Sequence, residues 1–181
     1  TGPPEAPVVL SARLHCTVPD DLCYIAALRI LKYRFNSEAE LRRKLRGKKF
    51  EKEAIDETIV RLHQEKWLDD QRFAGAFVRT KANQRRGSRR ILNELHAAGV
   101  DRESAAQAVV ENIDPEREAE ALRTLCARRA GVLIRRHGAD FLSSGEGRNK
   151  LVGYLLKQGY DAALVYEAVK EISVVHHQSD S

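Results

Sequence analysis

The side chains best equipped for chemistry in this 181-residue chain are its arginines, and the chemistry is anion recognition. A guanidinium presents a planar fork of donors that matches phosphate and carboxylate oxygens. Six basic residues and no acid lie between Glu40 and Glu51: Arg42, Arg43, Lys44, Arg46, Lys48 and Lys49. Seven lie between Asp70 and Glu94: Arg72, Arg79, Lys81, Arg85, Arg86, Arg89 and Arg90. Five lie between Glu120 and Asp140: Arg123, Arg128, Arg129, Arg135 and Arg136. Yet the net charge is only +5, from 31 Lys+Arg against 26 Asp+Glu, so the remainder of the chain is acidic. Basic islands on an acidic scaffold imply an anionic partner, because faces charged only for solubility usually intersperse both signs. The plainer alternative is a set of solvated helical faces.

Other chemistry is thinly provided. His15–Cys16 is the one adjacent Cys/His pair, and no second pair completes a zinc site. His63, His96 and His137 stand singly and read as helix-surface residues, while His176 and His177 fall in a polar tail. No glycine loop is followed by Lys-Ser/Thr to cradle a phosphate, and Gly145-Glu146-Gly147 reads as a flexible loop. Asp69-Asp70 could imitate a metal-binding pair, but capping of the next helix explains it better. The expectation is therefore a non-enzyme without metal or cofactor. Cys16, Cys23 and Cys126 are too few and too irregular for a disulfide framework, which suits a reducing compartment. A mean hydropathy of −0.47 and the lack of a long apolar run argue against a membrane span. Without a secretory leader the expected location is cytoplasmic. A chain that opens on Thr1 and contains no methionine reads as missing a leading segment.

The elements that must position these arginines repeat. Leu41, Leu45, Phe50, Ile55, Ile59 and Leu62 set a pattern that recurs fifty residues on as Ile91, Leu95, Val100, Ala105, Val109 and Asn112. Sixty residues further it returns as Leu151, Leu155, Tyr160, Val165, Val169 and Ile172, so Asn112 alone breaks the apolar register. Such self-similarity outranks local propensity as a guide to fold. Each copy reads as helix, turn, helix, with Gly99 and Gly159 in the turns and Glu51, Asp101 and Asp161 as caps. A further helix precedes each copy. Tyr24, Leu28, Leu31 and Phe35 share one face of the first, with Ser37 and Glu40 forming a capping box for its successor. Phe73, Ala74, Phe77 and Val78 follow Asp69-Asp70, and Asp114-Pro115-Glu116 opens the third.

The fold class expected is all-α: three tandem three-helix repeats in an elongated, curved array. The divisions are an extension over 1–19, repeats over 20–68, 69–113 and 114–175, and a tail over 176–181. The third repeat's ten extra residues are placed in a loop near 138–147. Trp67 and Leu68 are expected to lock the first two repeats together. If its helix runs far enough, Arg72, Arg79 and Arg86 form one stripe at intervals of about 10.5 Å. Arg89 should face solvent, and Arg129, which falls in an apolar arc, either snorkels or marks a bend at Gly131.

These residues resemble the RecX family, bacterial regulators of the RecA recombinase. Its first-unit pattern matches Ala27-Leu28, Leu31, Arg34, Ser37, Glu40-Leu41 and Lys44-Leu45, and its junction signature matches Trp67-Leu68-Asp69-Asp70 with Phe73-Ala74. Gly87, Arg90-Ile91, Glu94-Leu95 and Gly99-Val100 carry the second unit; Leu151, Leu155, Gly159-Tyr160 and Val169 carry the third. The resemblance spans roughly 20–175, and Lys66 stands where the family commonly has glycine. It implies a monomer that lies in the groove of a RecA–single-stranded-DNA filament, limits its extension or promotes its disassembly, and so restrains recombination and the SOS response. The contact residues expected from the basic islands are Arg42, Arg43, Arg46, Arg72, Arg79, Arg85, Arg86, Arg89, Arg90, Arg128 and Arg135. Two other readings stay open: a stand-alone module that grips single- or double-stranded DNA through helix-turn-helix-like units, and a plain helical scaffold.

Overall fold

A computed structural model describes residues 18–178, and among these the chain forms nine α-helices and one 3-10 turn with no strand. The first unit comprises α1 (Val18–Tyr33), α2 (Glu38–Gly47) and α3 (Lys52–Gln64). The second comprises α4 (Asp70–Asn83), α5 (Ser88–Ala97) and α6 (Arg102–Asn112). The third comprises α7 (Pro115–His137), a 3-10 turn (Ala139–Ser143), α8 (Gly145–Lys157) and α9 (Ala162–Gln178). Of the expected 1–19 extension only Val18 and Pro19 lie within the described residues, where they open α1.

Each unit closes around its own core, and each core is built from the repeated positions. Leu41, Leu45, Ile55, Ile59 and Leu62 are buried in the first, Ile91, Leu95, Val100 and Ala105 in the second, and Leu151, Leu155, Tyr160 and Val165 in the third. The i, i+4 spacing points one stripe of each helix inward, and burial of that stripe supplies the stability that isolated short helices lack. The caps fall where the acids and serines predict. Ser37 Oγ accepts from Glu40 N at 3.1 Å, Asp69 from Arg72 N at 2.9 Å, Asp101 from Ser104 N at 2.9 Å and Asp114 from Glu116 N at 2.9 Å. Glu51 stands at an N-cap position but makes no side-chain cap bond.

Several expectations are corrected. Trp67 does not lock a junction: it is 58% exposed, while Leu68 alone turns into the first core. Phe35 lies beyond the end of α1 and is half exposed, because α1 stops at Tyr33 to let the chain reverse. The extra length of the third unit is not an open loop. It sits in α7, which runs 23 residues against 14 for α4, and in the 3-10 turn that follows. Gly147, placed in that loop, belongs to α8, and a Cβ there would come within 2.0 Å of the Phe141 carbonyl oxygen. His176 and His177 continue α9 rather than forming a tail.

The units meet through two junctions of one design. At the first, the backbone N–H of Glu38, at the start of α2, donates to Asp70 Oδ1 on α4 at 2.8 Å, and Ser37 Oγ donates to the Ala98 carbonyl. At the second, the N–H of Ser88, at the start of α5, donates to Glu118 Oε1 on α7 at 2.7 Å, and Gly87 N donates to the Gln158 carbonyl at 2.9 Å. In both, the positive end of one unit's second helix is held by a carboxylate of the next unit's first helix. In both, it abuts the glycine turn between that unit's other two helices. Gly99 (φ +87°) and Gly159 (φ +89°) leave room that a Cβ would fill, at 2.2 Å from Ala39 Cβ and 2.2 Å from Arg90 Cβ respectively. Burial of the Asp70 carboxyl pushes its pKa up against this cap bond.

Candidate anion-binding surface

The fold divides the expected contact arginines into two groups. The first makes ion pairs or hydrogen bonds within the protein itself. Arg42 is clamped between Glu38, at 2.7 Å, and Asp56. Glu94 gathers Arg86 at 2.6 Å, Arg90 at 2.9 Å and Lys81 at 3.2 Å. Burial works against the Glu94 charge, but hydrogen bonds from Arg90 and Lys81 hold the carboxyl below the usual carboxylate range. Arg89 is exposed, as expected, and pairs across the second junction with Asp161 at 2.7 Å. Arg79 donates to Asn112 Oδ1 at 2.6 Å, so the one polar break in the repeated register is the anchor of an arginine.

The stripe Arg72–Arg79–Arg86 does not form. Helix α4 ends at Asn83 and Arg85 turns left-handed (φ 58°), which swings Arg86 off the helix and onto Glu94. Arg72 instead lies over the Phe35 ring, 5.1 Å from its centroid, and links the first unit to the second.

The second group is available to a partner. Arg43, Arg46, Arg128 and Arg135 are exposed and have no carboxylate partner among the described residues. Arg43 and Arg46 lie on α2 beside exposed Lys48 and Lys49. Arg128 and Arg135 are two turns apart on α7. There they line a cleft of about 540 Å³ between the second and third units, with Arg85 on the facing turn. Arg129, outside the expected set, lines it too. α7 runs unbroken through Gly131, and the Arg129 guanidinium sits over the Tyr154 ring, 4.7 Å from its centroid. Its place within an apolar arc was the sequence signal for this inward position.

No helix among the described residues is long and apolar enough to cross a membrane. Also among them, no three His, Cys, Asp or Glu side chains are grouped as they would be to hold a metal ion.

Residues 23–62 match the first three-helix domain of RecX, and residues 69–109 match the second. A regulatory protein RecX of Serratia proteamaculans is 30% identical over 157 residues, covering 74% of this chain and 88% of that protein. One from Trichlorobacter lovleyi is 35% identical over 151 residues, covering 81% of this chain and 92% of its own length. The crystal structure of RecX from Lactobacillus salivarius superimposes with a TM-score of 0.71 at 26% identity, covering 86% of this chain and 97% of that one. Shared three-helix domains, shared architecture and this level of identity over most of both chains place the protein in the RecX family of regulatory proteins.

Proposed function

We propose that this protein binds the filament that RecA forms on single-stranded DNA and restrains its activity, either by limiting extension or by promoting disassembly. The observation that carries the reading is membership in a family of regulatory proteins, and the surface supports it. Three units joined end to end can reach successive subunits of a polymer, and several weak contacts on one array combine through effective concentration. Arg43, Arg46, Arg128 and Arg135 supply exposed cationic groups on separate units for such contacts. Restraint then follows if the array fits one filament state better than another.

The test is a RecA ATPase time course on single-stranded DNA with and without the protein. Hydrolysis should fall at substoichiometric protein, and Arg43→Glu/Arg46→Glu should weaken that effect at unchanged helical content. Hydrolysis indifferent to the protein would refute the reading.

A further inference from the structure

Two clefts flank the second junction, and one is mixed in charge. It measures about 410 Å³, and Arg79, Arg86 and Arg117 share its walls with Asp114 and Glu118. The other is not. Its walls carry Arg85, Arg128, Arg129 and Arg135, together with Gln84 and Gln158, and no carboxylate. Arg85 Nη1 and Arg129 Nε are buried and have no hydrogen-bond partner, a condition that buried donors rarely tolerate. The backbone that carries Arg85 and the guanidinium of Arg129 are held in place. Tyr160 donates to the Arg85 carbonyl at 3.0 Å, fixing the left-handed turn, and Arg129 rests on Tyr154. Gly131, between Arg128 and Arg135, adds no side chain to the cleft wall.

We propose that this cleft is a binding site for linked phosphates, gripped from both sides of the joint between the second and third units. The proposal concerns the isolated protein and does not rest on the filament reading. Four guanidinium charges facing one space call for an occupant with several negative charges in a short span. A single carboxylate offers one charge and two coplanar oxygens. Linked phosphates offer a charge at each phosphorus and oxygens directed around it, which suits guanidinium groups approaching from two elements. Because Arg85 belongs to the second unit and the other three to the third, the occupant also braces the junction.

Calorimetric titration tests this with inorganic tripolyphosphate, a ten-residue oligothymidylate and a ten-residue oligoglutamate as probes. Tripolyphosphate should bind one to one and raise the melting temperature. Arg128→Ala/Arg135→Ala, both exposed, should weaken it about tenfold or more per guanidinium, without changing the melt of the free protein. Arg129→Lys keeps the stem and charge but not the fork, and should also weaken binding. Arg136→Ala, on the same helix outside the cleft, should not. Displacement of tripolyphosphate by oligothymidylate would support the site with a nucleic-acid backbone as its source. Binding of tripolyphosphate without displacement would support it with free linked phosphates as the source. Equal binding of oligoglutamate would overturn it in favour of an acidic protein segment. Absence of tripolyphosphate binding, or binding unchanged in the arginine variants, would also overturn it.

Discussion

Gly87→Ala separates the junction from ordinary backbone effects. Gly87 has φ −72° and ψ 156°, a conformation any residue adopts. By itself the substitution would therefore stabilise by about 0.4–1 kcal/mol through the unfolded chain. The added Cβ, however, would lie 2.3 Å from the Gly159 carbonyl carbon and 2.4 Å from both its oxygen and the Tyr160 nitrogen. These are backbone atoms, which cannot rotate aside, so the start of α5 must retreat from the third unit. Overpacking of this kind costs about 1–3 kcal/mol. The retreat also stretches Gly87 N to Gln158 O, at 2.9 Å, and Arg89 N to Gly159 O, at 3.1 Å. Each such bond contributes about 1 kcal/mol. The net loss should be about 2–4 kcal/mol, which lowers the melting temperature of a chain this size by about 5–15 °C. Circular dichroism melts measure it, with amide exchange at Arg89 reporting the junction itself. Gly153→Ala is the control, because a Cβ at that α8 position meets nothing within 4 Å and should stabilise by about 1 kcal/mol. A Gly87→Ala protein that melts at or above the parent, with Arg89 exchange unchanged, would refute this junction.

Lys49 occupies the left-handed position (φ 67°) that glycine holds in the other two units, so Lys49→Gly should stabilise by about 0.5–1 kcal/mol in urea unfolding. Burial pushes the Cys126 thiol up to about 11, with the Glu171 charge adding to the effect, so its stabilisation is complete below the unfolded value of 9.0 and is lost as pH rises towards 11. Subtracting a Cys126→Ala melt series from the parent series should expose that loss between those limits. At pH 8 roughly one Cys126 in a thousand is thiolate, so its labelling by a disulfide reagent should require opening of the third unit.

The repeated register was legible because burial imposes a period on each helix, and that period survives changes of side chain. Leu41, Ile91 and Leu151 all reach the interior of their own units. The surface was less legible. Which arginines are free depends on acids distant in sequence: Asp161 reaches Arg89 from 72 residues away. Asp70, read as a cap for its own helix, instead holds the start of α2, and Glu118 does the same for α5. Trp67 has the composition of a core residue, but the turn after α3 brings only its neighbour Leu68 inside.

Local periodicity and capping chemistry thus settled the helices, their number per unit and their inward faces, because those depend on neighbours within a few residues. The pairing of charges, the two glycine-seated junctions and the arginine cleft between units were decided only by the tertiary structure. Electrostatics and close packing act through space, and no spacing along the chain encodes a distance between units.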